Sequence, residues 1–201
     1  MKNEAILKSL NIIKNGDMSE LDFLIDTISK EIKEAELKKS NGADYVKLSK
    51  KAKKILEKNE KDSLKTATME KINGKEMQIF FDDGYYCVAL YRPLDVPMGE
   101  TDNFKSIGVS LFERTPNNSY KETAYDIGEI KLALVNAKDK KHGYVEVGNS
   151  QYNPQYFLNI VEFLGGSEKT KFYQGESCLV PAYFESEFGK ALLCPVRPTQ
   201  K

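Results

Sequence analysis

The sequence is poor in the groups that most enzymes depend on. It holds one histidine in 201 residues, His142, within the charged run Lys138-Asp139-Lys140-Lys141-His142-Gly143. A Ser–His or Cys–His nucleophile pair would have to be built on that solvated connection, which gives it no rigid support. Cysteine is scarce as well. Cys87, Cys178 and Cys194 are odd in number and lack the close pair spacing of a zinc site. They read as reduced thiols of a cytoplasmic protein, not as a disulfide framework. No apolar run approaches the roughly 20 residues of a membrane span. The polar start, Met1-Lys2-Asn3-Glu4, leads into an amphipathic stretch without the apolar region of a secretory leader. Net charge is absent too: 30 lysines and arginines balance 30 aspartates and glutamates. No overall field draws the protein to nucleic acid, and any such contact must come from a local patch.

Other catalytic signatures are equally thin. Asp82-Asp83 is an adjacent acidic pair, but consecutive carboxylates at a hairpin turn are far more often turn formers than metal ligands. Gly165-Gly166 follows a helix, the reverse of a phosphate-binding loop. The 11 tyrosines fall mostly in strand segments, where sheet packing accounts for them. No cofactor motif is present. The residues point to a non-enzymatic protein with no metal and no cofactor.

What is present is a chain that is 40% apolar and 30% charged, the balance of a globular protein with a well-charged surface. Its length allows one sizeable core with an appendage, or two small domains. The first forty or so residues read as helical. Ile6, Leu7, Leu10 and Ile13 form one apolar stripe that Asn15-Gly16 stops, and Asp17 with Glu20 is a capping-box pair. The next helix carries Leu21, Ile25, Ile28, Ile32 and Ala35 at alternating spacings of four and three. That narrow seam either packs on the first helix as a hairpin or meets the same helix of another copy, making a homo-oligomer.

Ser40-Asn41-Gly42 breaks the helix, so residues 1–42 are expected to be an N-terminal helical hairpin. A third helix follows from Tyr45 to Glu60, with Leu48, Ala52, Ile55 and Leu56 inward. Its other faces carry Lys47, Lys50, Lys51, Lys53, Lys54 and Lys58. Lys47, Lys50, Lys51, Lys54 and Lys58 are the candidate contacts to double-stranded DNA, each worth salt-dependent, sequence-blind affinity. The alternative is a solvated face, as most lysine runs are.

Strands come next. Thr66–Ile72 and Glu76–Phe81 flank Asn73-Gly74, a strong hairpin signal because both positions tolerate positive φ. Asp82-Asp83-Gly84 turns the chain into a third strand, Tyr85–Tyr91. The stretch from Arg92 to Lys121 is less regular, with one strand expected at Ile107–Phe112. A short helix is expected near Ile127–Lys138 and a strand at Tyr144–Val147. Asn153 is a good N-cap with Pro154 at the first helical position, and that helix runs to Leu164. Strands at Thr170–Tyr173, Cys178–Glu185 and Lys190–Val196 complete the chain. A helix followed by a three-strand meander thus occurs twice, a repeat of architecture without obvious sequence identity.

Three segments carry a resemblance to a known family. They are Tyr152-Asn153-Pro154-Gln155-Tyr156-Phe157-Leu158, Phe172-Tyr173-Gln174, and the run from Glu185 to Arg197 that ends Leu192-Leu193-Cys194-Pro195-Val196-Arg197. Together they resemble the C-terminal domain of the bacterial DNA polymerase III beta subunit, the sliding clamp. That family has an Asn-x-x-Tyr-Leu helix opening and a last strand closing on apolar-Met-Pro-apolar-Arg. Asp83-Gly84-Tyr85 with its following strand is also similar to a turn in clamp domains. The match is specific over residues 145–198, weaker over 45–97 and absent over the first forty. Cys194 stands where the family has Met.

The resemblance implies an α+β fold with residues 43–201 as one clamp-like domain of two helix-plus-antiparallel-meander units. A clamp protomer has three such domains, so this chain resembles a short relative of the phage or mobile-element kind. The implied function is non-enzymatic: a clamp-like protein of the replication machinery that binds replication or repair proteins through their clamp-binding peptides. By position, Leu192, Cys194, Pro195, Val196 and Arg197 would be its share of the peptide groove. The second reading is a structural or regulatory interaction module that keeps the fold without encircling DNA.

Overall fold

The computed structural model describes residues 9–10, 12–13, 20–41, 43–137 and 143–196. Ile6, Leu7, the Asn15-Gly16 stop, Asp17, His142 and Arg197 lie outside the described residues. In chain order the elements are α1 (Leu21–Asn41), α2 (Ala43–Lys58), β1 (Thr68–Ile72), β2 (Lys75–Asp82), β3 (Tyr86–Leu90), α3 (Asn103–Arg114) and β4 (Lys121–Glu122). They continue as α4 (Ile127–Asn136), β5 (Val145–Val147), β6 (Ser150–Tyr152), α5 (Pro154–Phe163), β7 (Lys171–Gln174), β8 (Ala182–Ser186) and β9 (Gly189–Leu193). Two compact units divide the chain, Met1–Ser49 and Lys50–Lys201. In the first unit α1 stops at Asn41, the break read from the sequence.

In the second unit, backbone chirality fixes the first meander. Asn73 and Gly74 have φ of 48° and 82°, the left-handed pair that a two-residue hairpin requires to match strand twist. Ile72 therefore lies opposite Lys75, and β1 and β2 pair antiparallel. Asp83 and Gly84, with φ of 40° and 83°, turn the chain from β2 into β3. The second meander, β7-β8-β9, pairs in the same way, and β9 lies antiparallel beside β3. One seven-stranded sheet results, in the order β1-β2-β3-β9-β8-β7-β4. The two meanders thus meet through their last strands, each preceded in sequence by a helix.

Strand alternation gives the sheet two apolar faces. Phe80, Val88, Ala191, Phe184 and Phe172 form one row across it. α5 covers that row: Phe157 is fully buried, with its ring 4.9 Å from Phe184 and 5.2 Å from Phe172, and Phe163 meets Phe80 edge-on at 5.0 Å. On the opposite face Phe81, Cys87, Leu192, Tyr183 and Tyr173 form the row. There α3 packs: Phe104 lies 5.8 Å from the Phe81 ring, and Phe112 is fully buried. A Cβ at Gly108 would come within 2.6 Å of the Phe81 ring, so glycine permits the approach.

α3 corrects the strand expected at Ile107–Phe112. The alternation of apolar residues there is compatible with both periods, and the helix wins at its start. Asp102 accepts from the Lys105 amide at 2.8 Å, capping the first turn, and Phe104, Gly108 and Phe112 then fall on one face. The loop before α3 is tied to the sheet edge. The Ala67 amide donates to the Pro97 carbonyl and the Gly99 amide to the Ala67 carbonyl, both at 2.8 Å. Beneath it Lys105 is 1% exposed and donates to Thr66 Oγ1 and the Glu100 carbonyl, each at 3.1 Å.

The β5–β6 hairpin was only half legible, since β6 lies where the sequence showed a helix cap approaching. Gln174 holds it, donating from Nε2 to the Val147 carbonyl at 2.7 Å and to the Tyr152 hydroxyl at 3.0 Å. Among the described residues no helix is long and apolar enough to cross a membrane.

Phe157 sits where Tyr125, Tyr152, Phe172 and Phe184 converge. Phe157→Ala is expected to lower unfolding free energy by about 3–5 kcal/mol, the cost of a large core truncation. Urea denaturation measures it, and a loss below about 1 kcal/mol would mean that this cluster is not the centre of the core.

Candidate partner-binding surface at the end of the last strand

The end of β9 is fixed by backbone bonds on two sides. Within the strand, Leu192 lies between Cys87 and Tyr183 at 4% exposure. It is part of the core and offers no surface to a peptide. The next residues leave the sheet. The Cys194 amide donates to the Tyr85 carbonyl at 2.9 Å, and the Val196 amide donates to the Gln151 carbonyl at 2.7 Å. Pro195, with no amide hydrogen, sits between them. Cys194 is exposed, while Pro195 and Val196 are half-buried. The Cys194 thiol donates to the Gly84 carbonyl at 3.6 Å, and although the residue as a whole is exposed, the protein packed round its sulfur desolvates the thiolate and pushes the pKa up. Of the five groove residues expected from the sequence, Cys194, Pro195 and Val196 are at the surface, Leu192 is beneath it, and Arg197 is outside the described residues.

Two tyrosines flank this segment, and the sequence reading gave them no role. Tyr85 and Tyr156 stack with ring centroids 5.3 Å apart and planes 21° apart. Tyr156 stands in the first turn of α5, which the Asn153 side chain caps by accepting from the amides of Gln155 at 2.9 Å and Tyr156 at 3.2 Å. Tyr85 follows the Asp82–Gly84 turn, its amide donating to the Asp82 carbonyl at 2.8 Å. That turn is held from below. Asn59 Oδ1 accepts from the Asp83 amide at 2.8 Å, while Asn59 Nδ2 donates to the carbonyls of Leu64 and Phe81. The Asp83 carboxylate accepts from the Glu60 amide at 2.8 Å.

The tyrosines differ in exposure and so in chemistry. Tyr85 is 53% exposed, whereas Tyr86 is 2% exposed, with its hydroxyl accepting from Asn159 Nδ2 at 3.2 Å. Burial, with the nearby Asp82 carboxylate, raises the Tyr86 pKa well above its ordinary value. Burial first, then Asp82, Tyr85 and Asp83, pushes Tyr156 up to about 12. A signal for this site was present in the sequence. Tyr85 and Tyr156 both lie in segments that carried the family resemblance, but only the fold brings them together beside Cys194.

The other sequence candidates are placed elsewhere. Lys47, Lys50, Lys54 and Lys58 are exposed on α2. Lys51 is not free for phosphate: it is ion-paired with Glu162 of α5 and lies 5.6 Å from the Phe163 ring centroid. Its neighbour Lys53 pairs with Asp95 at 2.9 Å. On α1, Leu24 is buried, Leu21 is half-buried, and Ile25, Ile28 and Ile32 are 53%, 42% and 54% exposed. The seam read from the sequence is therefore an exposed one.

An open trough of about 640 Å³ runs along the β4–β7 edge, and its Asp126, Glu122 and Lys171 side chains are engaged in the fold. Asp126 caps α4, accepting from the Gly128 amide at 2.6 Å, and Glu122 pairs with Lys171 at 3.5 Å. No group of three metal-ligating side chains is found among the described residues.

No protein-family model, curated protein or solved structure matches this chain.

The raised Tyr156 pKa sets a pH dependence. A phenol neutral in the fold up to about 12, but ionising near 10 when unfolded, stabilises the native state fully below pH 10. That contribution is lost as pH rises from 10 to 12. Tyr156→Phe is expected to flatten the fall in Tm across this window. An unchanged slope would show that burial does not hold this phenol neutral.

Proposed function

We propose that this chain is a non-enzymatic, clamp-like binding protein that receives a short partner peptide on Cys194, Pro195 and Val196 beside the Tyr85–Tyr156 stack. The observation that carries the reading is a rigid surface of mixed apolar and aromatic character at the end of the last strand. Backbone bonds to Tyr85 and Gln151 fix the segment on either side, and the Asn153 cap fixes Tyr156. A surface ordered before binding spends little entropy on receiving a ligand, and exposed aromatic rings are the usual anchors of such contacts. The paired helix-plus-meander units joined through β3 and β9 support the clamp-like part, since they match what the sequence resemblance implies. Partners of this kind are replication or repair proteins carrying clamp-binding peptides.

The test is fluorescence anisotropy with clamp-binding-motif peptides against the full chain and a Pro195→Ala, Val196→Asp variant. The native chain is expected to bind in the micromolar range, with at least a roughly tenfold loss in the variant. Equal binding by both proteins would remove the groove from Cys194–Val196.

A second reading has its own observation, the exposed Ile25, Ile28 and Ile32 seam on α1. Spacings of three and four are those of two helices packing along a common seam, which makes self-association the natural use of this face. Sedimentation velocity is expected to show a dimer or higher species that Ile28→Asp converts to monomer. A native protein that remains monomeric at all concentrations would exclude it.

A further inference from the structure

The residues from Pro97 to Thr101 are all exposed, yet they lie across the start of β1 between two fixed points. On one side Leu94 and Val96 are buried. There the Gln78 side chain grips Leu94 twice, accepting from its amide at 2.8 Å and donating to its carbonyl at 3.0 Å. On the other side Asp102 caps α3. Between these points no apolar side chain is buried. The segment is held by polar contacts that water can replace. They are the two backbone bonds to Ala67, Gln78 on the Met98 sulfur, the Thr101 hydroxyl on the Glu70 carboxylate, and Lys105 beneath. Stretches secured in this way form the low end of a protein's local stability and open without the core.

Lys105 joins the parts of the closure. Its buried side chain reaches Thr66 Oγ1 ahead of β1 and the Glu100 carbonyl within the segment, and its own amide donates to the Asp102 cap. Thr66 is also where the segment comes closest to the sheet, since a Cβ at Gly99 would collide with Thr66 Oγ1. The backbone groups at stake are outward ones. Ala67 gives its amide and its carbonyl to the segment, and strand alternation turns those of Met69 the same way. Unoccupied, they form the edge that an added extended chain requires.

We propose that residues 97–101 are a latch on the β1 edge, pinned by Lys105, that opens as one unit while the sheet stays folded. Closed, it is an autoinhibitory contact, competing for the backbone groups that an incoming strand would use.

Native-state hydrogen exchange of the full chain, in urea below the unfolding transition, tests the latch. The amides of Ala67 and Gly99 are the two that cross it. They are expected to share one protection factor that depends little on urea and lies at least about a hundredfold below that of Val88 in central strand β3. Lys105→Ala removes both side-chain bonds, and Gly99→Val forces the backbone off Thr66. Each is expected to speed exchange at Ala67 and Gly99 at least about tenfold, with Val88 unchanged within about twofold. If Lys105→Ala does not fold, Gly99→Val decides, since position 99 is exposed. Protection at Ala67 and Gly99 equal to that at Val88, or different between the two, overturns the latch. Unchanged exchange in Gly99→Val also overturns it, and unchanged exchange in a folded Lys105→Ala overturns the pin.

Discussion

Everything in the second unit depends on one strand pair. β3 and β9 are the last strands of two separate meanders, and their antiparallel pairing from Tyr86–Leu193 to Leu90–Gly189 joins them into one sheet. The pairing is close at its far end, where a side chain at Gly189 would collide with the Ala89 carbonyl. Both strands are buried on both faces, with α5 over one and α3 over the other. Residues about a hundred positions apart in the chain thereby become neighbours. Tyr85 comes to lie beside Cys194 because the register of β3 against β9 carries one step past the sheet.

That register also explains why the candidate surface is firm. The turn at Asp82–Gly84 would be a free loop tip if it were held only by its strands. Asn59 instead binds it with both ends of its amide, bridging the end of α2, the Leu64 carbonyl and the last turn of β2. A buried amide with all these partners costs little, whereas losing any one would leave a polar group unpaired in the interior. The energetic logic resembles that of Gln174 at the opposite end of the sheet, where one amide secures the β5–β6 hairpin.

Much of the secondary structure could be read from local chemistry. Asn73-Gly74, the Asn153-Pro154 helix opening and the Asn41 break each carry their own signal, and each element begins or ends near where its residues require. The failures share a cause. At α3, Ile107 to Phe112 alternates well enough for a strand, and the cap that decides for a helix, Asp102, lies outside the apolar run. β8 begins at Ala182, not at Cys178, because Leu179 and Val180 are apolar but solvent-exposed. The site was legible only in part. Cys194, Pro195 and Val196 could be named from sequence, but the burial of Leu192 follows from strand register, and the meeting of Tyr85 with Tyr156 follows from tertiary packing.

The loop that crosses the start of β1 has a consequence for lateral growth. By exchanging bonds with Ala67 on both its amide and its carbonyl, residues 97–99 occupy the sites where a neighbouring strand would begin to zip. At the other margin β4 offers two residues, too few to template an addition. The covered start of β1 and the shortness of β4 limit edge-to-edge addition, which leaves surface side chains, tunable one residue at a time, as the readier route to assembly.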